Sequence, residues 1–229
     1  MNKIIDLHTH VLPGIDDGSK SVEDSEKILR MLAEQGVTDV CLTSHFYPHL
    51  KSAELFLKDR QEAFDKISHL FAPLGLTPHI GAEVKYSGTL FAREELNSLC
   101  LDNGNYLMLE LPAHEMELNA LISVVDRFYA NFGVSVIIVH PERYSYVFKG
   151  AVLSALTDAG CLIQIDNEAL ENRAVAKKVM KYYQAGLIHL AASDCHDSTE
   201  RRPNMDLLLN AGDFGKMMLE NAEEVLFGQ

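Results

Sequence analysis

The sequence predicts an α/β fold in which a parallel sheet closes into a barrel, and three observations lead there. Short β-rich runs alternate with helical patterns about seven times along 229 residues, the mark of repeated β-then-α units on a parallel sheet. The run VSVIIV at 134–139 is continuously apolar, as a strand covered on both faces must be. Six of the seven expected strands also end in His, Glu or Asp ligand candidates. A doubly wound sheet gathers ligands at one switch point, whereas a barrel collects them from nearly every strand end, so the third observation selects the barrel.

The elements follow in order. The first strand, 3–7, delivers His8 and His10, and the loop IDDG after it carries Asp16 and Asp17. Ser21 opens a helix running to Gln35, with Asp24 as capping partner and Gly36 as the stop. The second strand, 39–43, leads to His45 in TSHFYPH. Phe64, Ile67, Leu70, Phe71 and Leu74 recur at helical spacing within a helix over 52–74. The third strand, 77–82, ends at Glu83 in GAEV, and the fourth, 106–110, at Glu110 in LMLELP. A helix over 115–131 precedes the fifth strand, 134–139, which ends at His140 in IIVHPERY. After a helix at 151–159, the sixth strand, 161–165, ends in Asp166 and lacks a His or Glu ligand. A helix over 172–185 leads to the last strand, 187–192, followed by Asp194 and His196 in AASDCHD; the chain beyond Pro203 reads as helical. Strand alternation groups Asp6 with His8 and His10, His79 with Glu83, Met108 with Glu110, and Val136 and Ile138 with His140.

The length suits one sizeable core, and a single domain over 1–229 is expected. No apolar stretch is long enough to span a bilayer and MNKIID has no secretory apolar region, so a cytoplasmic protein without membrane insertion is expected. A formal charge of -13, from 20 basic and 33 acidic residues, repels a polyphosphate backbone and argues against nucleic acid as a partner. Cys41, Cys100, Cys161 and Cys195 form no CxxC pair; Cys41 and Cys161, in apolar strand-like runs, read as buried thiols, and no disulfide framework is expected. No feature of the sequence sets the oligomeric state.

Nine ligand candidates therefore stand at the strand ends or just beyond: His8, His10, Asp17, His45, Glu83, Glu110, His140, Asp194 and His196. Imidazole and carboxylate without thiolate suits Zn, Mn or Fe and implies no redox cofactor. Nine ligands exceed what one ion needs, so two or three divalent ions sharing carboxylates are expected, an arrangement that activates water and clamps phosphoryl oxygens. Asp16 reads as a turn or supporting residue, and Asp6 as a candidate to orient His8 or His10. His49, His69, His79, His114 and His189 fall away from strand ends and read as structural or surface residues.

DLHTH, IDDG, SH, GAE, LELP, VHPERY and ASDCH, in this order, resemble the polymerase and histidinol phosphatase (PHP) superfamily. The resemblance is nearest to the bacterial manganese-dependent tyrosine phosphatases of capsule and exopolysaccharide loci. It implies a distorted (β/α)7 TIM-like barrel of the PHP type with three metal ions in its mouth, manganese expected and iron or zinc the alternatives. It also implies that His8, His10, Glu83 and Asp194 hold the first ion, that Glu83 bridges to a second held by Glu110 and His140, and that Asp17, His45 and His196 hold the third. Arg143 in HPERY and Arg202 in RRPNM match family arginines that hold substrate phosphate, with the adjacent Arg201 the alternative to Arg202; a guanidinium forks onto two phosphate oxygens and stays charged when partly buried. The implied activity is hydrolysis of protein phosphotyrosine through metal-activated hydroxide, on the tyrosine-rich tail of a capsule-assembly tyrosine kinase. The alternatives are a histidinol-phosphate or other small-molecule phosphatase, and a non-catalytic metal-binding regulatory barrel. Cys195 and Arg201 have the C-x5-R spacing of cysteine phosphatases, but HDSTE between them has no glycine to cradle phosphate, and its acidic surroundings oppose a thiolate.

Overall fold

The computed structural model describes residues 3–92 and 96–228. In chain order these form β1 (Ile5–Thr9), α1 (Val22–Glu34), β2 (Asp39–Leu42), β3 (His45–Phe46), α2 (Ala53–Ile67), α3 (Phe71–Leu74), β4 (Thr77–Ile80) and β5 (Glu83–Lys85). There follow β6 (Tyr106–Glu110), α4 (Leu118–Phe132), β7 (Ser135–Val139), α5 (Gly150–Asp158), β8 (Leu162–Asp166), α6 (Arg173–Gln184), β9 (Leu190–Ala192), α7 (Met205–Leu209) and α8 (Asp213–Phe227).

The strands pair in parallel as β1-β2-β4 and β3-β5-β6-β7-β8-β9. β3 resumes the line of β2, and β5 that of β4, so the nine strands occupy seven positions around a distorted barrel. Closure comes from the last position back to the first. Thr9 bridges Cys195, the Asp194 N–H donates to His8 O at 3.0 Å, and the His10 N–H donates to Cys195 O at 2.9 Å.

The second and third expected strands are thus found as β2 and β4, and each is followed after a short gap by a further strand, β3 and β5, beyond the expected bounds. The gap between β4 and β5 falls at Gly81, where an added Cβ would lie 2.8 Å from Leu101 Cδ2 and push that side chain aside; glycine in a strand marks such bends and close approaches. The helices start where their caps stand. Ser21 accepts from Asp24 N–H, Ser52 from Leu55 N–H, and Asn172 from Ala174 and Val175 N–H. The expected 52–74 helix is realised as α2, one tighter turn at Ser68–Leu70, and α3, ending at Gly75 with φ +70°.

The apolar core has two layers. Val40, Leu42, Leu107, Leu109, Val136 and Ile138 pack outward against the helices. Ile5, Leu7, Cys41, Met108, Ile137 and Val139 fill the barrel, with Ala222, Val225 and Leu226 of α8 joining them. This corrects the face expected for β7. Ile137, not Val136 or Ile138, stands beside Met108 in register, so alternation alone would turn His140 outward. Its left-handed backbone, φ +35°, brings it in instead. Among the described residues no helix is long and apolar enough to cross a membrane.

Candidate metal centre

The barrel's other rim, where the strands end, is polar, and each pairing there sets two functional side chains side by side. The β3–β5 register places His45 against Glu83. The β9–β1 closure places His8 and His10 against Asp194 and His196.

Four ligand atoms make a closed cage. His8 Nε2 lies 3.2 Å from His10 Nε2 and from Glu83 Oε2, and 3.4 Å from Asp194 Oδ1; His10 Nε2 lies 3.2 Å from both carboxylate oxygens. All four residues are buried. Separations of this size are the edges of a coordination polyhedron with bonds of about 2.0–2.2 Å. Glu83 Oε2 and Asp194 Oδ1 make no hydrogen bond, and a buried carboxylate oxygen without one is costly unless a cation satisfies it. Hard carboxylate and borderline imidazole donors suit Mn, Fe or Zn, so the residues fit the expected ions.

Two further groups adjoin the cage: His10, Asp17, His45 and His196, and His45, Glu83 and Glu110, the ligand atoms of each lying within 4.8 Å of one another. Asp17 Oδ1 is 3.4 Å from His45 Nε2 and 3.6 Å from His196 Nε2, and its side chain is the exposed member at 60%. His45 Nδ1 stands 2.9 Å from Glu83 Oε2 and 3.9 Å from Glu110 Oε2. His140 belongs to none of the three groups; its Nε2 contacts the other Glu83 oxygen at 2.7 Å. His8, His10, His45, Glu110, His140 and Asp194 therefore gather at Glu83, while Asp17 and His196 join through His10 and His45; His10 thus also reaches the third group, and His45 stands where His140 was expected in the second.

The supporting contacts explain the ring orientations. Asp16 Oδ2 accepts from His10 Nδ1 and from the His45 backbone N–H, both at 2.8 Å, and Oδ1 accepts from Gly18 N–H at 3.0 Å. A proton held on Nδ1 leaves the Nε2 lone pair for the cage. Burial alone would raise the Asp16 carboxyl, but His10 beside it holds it well below the carboxylate range. A Cβ at Gly18 would stand 2.2 Å from His10 O, so the loop closes under His10 only with glycine there. The Gln164 amide lies 3.0 Å from His8 Nδ1. Asp6 touches neither imidazole: its Oδ1 accepts from the backbone N–H groups of Ser193 and His8, stitching β9 to β1.

Two of the three non-glycine residues with positive φ among the described residues, His140 and Asp194 (φ +50°), stand on this rim. Each such residue costs about 1–3 kcal/mol and persists where the surroundings over-determine it, which is typical of functional sites.

Asp194 also faces two arginines. Its Oδ2 accepts from Arg143 Nη2 at 2.5 Å and from Arg201 Nη2 at 2.6 Å, while Arg143 Nη2 lies 2.6 Å from Asp166 Oδ2. Each guanidinium has further N–H donors to offer an anion. Arg202 is exposed and lines the adjoining cavity of about 120 Å³ with Arg143, Arg201 and Asp194, but the arginine that reaches Asp194 is Arg201. The intervening turn decides this. Asp197 Oδ1 accepts from Thr199 and Glu200 N–H, and the His196 and Asp197 N–H groups donate to Arg201 O, folding Arg201 back over the rim.

Gln164 and Glu142 are the functional neighbours the sequence reading did not place; it had Asp166 as a strand end, and left Arg201 open beside Arg202. Gln164 could have been found by alternation, two residues before Asp166. Glu142 Oε1 accepts from Asp166 N–H at 2.7 Å, a contact that no local pattern announces. Lys85 pairs with Glu110 Oε1 at 2.9 Å, and the Tyr144 hydroxyl donates to the same oxygen at 3.1 Å, so Oε2 is the atom Glu110 turns to the cluster. Cys195 is fully buried, and burial with Asp6 nearby pushes its thiol well above the usual range, so it is no nucleophile.

Fold and rim together define a parallel α/β barrel with a His and carboxylate cluster suited to several divalent ions. More particularly, the chain belongs to the family described as capsular polysaccharide synthesis, CpsB/CapC, which it matches over residues 4–226. It is similar to the tyrosine-protein phosphatase CpsB of Streptococcus pneumoniae, at 30% identity over 222 residues, 88% of this chain and 86% of that protein. It is also similar to the tyrosine-protein phosphatase YwqE of Bacillus subtilis strain 168, at 27% identity over 99% of this chain and 92% of that protein. A solved structure from the work on YwqE of Bacillus subtilis and CpsB of Streptococcus pneumoniae, described as metal-dependent tyrosine phosphatases, superposes with a TM-score of 0.80. Its identity is 22%, covering 99% of this chain and 95% of that one.

Proposed function

We propose that the chain is a metal-dependent protein-tyrosine phosphatase, working as one domain over 1–229. The observation that carries this is the position of Asp194, whose one oxygen closes the carboxylate and imidazole cage while the other holds two arginines. A phosphoryl group placed between them would meet cations on one side and guanidinium donors on the other. Family membership and the two tyrosine-phosphatase relatives support phosphotyrosine as the substrate.

The ligands we assign are His8, His10, Asp17, His45, Glu83, Glu110, His140, Asp194 and His196, for two to three divalent ions with manganese as the native metal. When bound, such ions supply an activated water and Lewis-acid neutralisation of phosphoryl charge. The chain's own residues do the positioning. Asp16 and Gln164 fix the His10 and His8 rings. Arg143 and Arg201 bind the equatorial oxygens, with Arg202 at the cavity edge. Asp166 holds Arg143 from behind. A phenolate leaves without strong protonation, so the reaction asks for no buried general acid. The partner we infer is the tyrosine-rich tail of a capsule-assembly tyrosine kinase, met in the cytoplasm.

Manganese-loaded protein assayed on a phosphotyrosine peptide and on histidinol phosphate tests the substrate. The peptide is expected to give the higher kcat/KM by about tenfold or more. Preference for histidinol phosphate would overturn phosphotyrosine as the substrate, and no turnover of either would favour a regulatory metal-binding barrel.

A further inference from the structure

Two cavities that Arg143 lines differ in charge. One cavity carries Glu168, Glu171, Glu200 and Asp206 along with the arginines. A second groove, of about 400 Å³, also opens from Arg143 and is lined by Ser145, Phe148, Lys149, Val175 and Lys178. Its one acidic member, Glu142, uses Oε1 to accept from the Asp166 N–H. Lys178 Nζ stands 6.0 Å from the centroid of the buried Phe148 ring, which packs edge-on against Tyr182.

The groove continues onto α6, RAVAKKVMKYYQ, which has four basic residues and no acidic one in a chain of formal charge -13. Arg173, Lys177, Lys178, Lys181 and the neighbouring Lys149 are exposed. None of these five forms an ion pair among the described residues, whereas Arg143 and Arg201 are paired. Unpaired cations on one flank of an acidic molecule, joined to the candidate site by a groove with an aromatic floor, complement an anionic chain that enters the site.

We propose that this groove docks acidic residues flanking the phosphotyrosine of a protein substrate, with Lys149 and Lys178 pairing with their carboxylates beside Phe148. The inference rests on the phosphatase reading above and adds a direction: the substrate's acidic side lies toward α6.

The test compares two phosphotyrosine peptides, one flanked by Asp and Glu and the other by Asn and Gln, on three proteins. These are the unaltered chain, Lys149→Glu/Lys178→Glu, and the remote control Lys58→Glu/Lys66→Glu on α2, which changes net charge equally. At low ionic strength the unaltered chain is expected to favour the acidic peptide by about tenfold in kcat/KM, mainly through KM. That ratio is expected to fall to about one in the groove variant and to stay at about tenfold in the control. A ratio unchanged by the groove substitutions, an equal fall in the control, or no acidic preference at all would overturn the proposal. So would loss of binding to phosphatidylserine vesicles with the peptide ratio intact, which would make the patch a membrane contact. Turnover of p-nitrophenyl phosphate by the unaltered chain separates the two readings. Its absence sinks the phosphatase assignment, whereas its presence without acidic preference sinks the groove alone.

Discussion

At the scale of single residues, Asp16 does more than the nine ligand candidates suggest. One oxygen takes both the His10 ring proton and the backbone N–H of His45, tying the ends of β1 and β3 to a common anchor. Losing such a partner costs metal sites about 10–100-fold in affinity. Asp16→Ala is therefore expected to weaken manganese binding by about that factor in a calorimetric titration; unchanged affinity would show that His10 is held by packing alone. The adjacent aspartates of IDDG look equivalent in sequence, and Asp16 could be read there only as a turn or supporting residue. What separates them is the loop's path under His10, enforced at Gly18, a tertiary contact with no local periodicity. Arg201 and Arg202 pose the same difficulty. The hydrogen bonds of Asp197 choose between them, and adjacent loop residues carry no pattern that would.

At the scale of elements, the strand ends were legible because period-two alternation and apolar runs are local. The short strands β3 and β5 beyond the second and third were not, since they form by pairing with each other in the barrel wall. The β7 face was misread because a left-handed residue at its end reverses the alternation. The same β4 strand that leads to Glu83 carries His79 near the barrel's lower end, clamped between Asp102 Oδ2 at 2.5 Å and Asp39 Oδ1 at 2.9 Å. Burial lowers the His79 pKa, but Asp102 and Asp39 outweigh it and the net shift is upward. Both carboxyls are lowered: burial opposes this, and His79 is the leading cause of lowering in each. A raised histidine stabilises fully below its unfolded pKa, and that contribution fades as pH rises through the folded value. Lowered aspartates stabilise above their unfolded pKa and lose that as pH falls through the folded value. The clamp should therefore be strongest between about pH 4 and about pH 6.5. Melting curves of the unaltered chain and His79→Gln should differ most in that window and converge above it. A difference constant with pH would mean that the imidazole contributes by packing.

At the scale of the whole molecule, an apolar layer joined by α8 fills the barrel, and the rim where the strands end gathers carboxylate oxygens without hydrogen-bond partners. Ions that bind only the folded chain stabilise it by mass action, about 2.7 kcal/mol at a hundredfold excess over Kd. For a chain of this size that is a melting shift of about 5–10 °C per independent site. Chelation followed by a thermal scan should show a drop of at least this size, restored by manganese; an unmoved transition would mean that the cluster holds no tightly bound ion. The closed barrel itself was legible from sequence because its ligands come from almost every strand end, which an open sheet would not require. The sharing of His10 and His45 between groups was not, because it depends on where side chains meet in space.

Because Glu83 belongs to two of the three ligand groups and contacts His8, His10, His45 and His140, the most direct measurement is the metal content of Glu83→Gln by mass spectrometry, taken together with its turnover of a phosphotyrosine peptide. The folded variant is expected to lose at least one ion relative to the unaltered chain and to fall at least about a hundredfold in activity. Full metal content with undiminished turnover would contradict a Glu83-centred metallophosphatase.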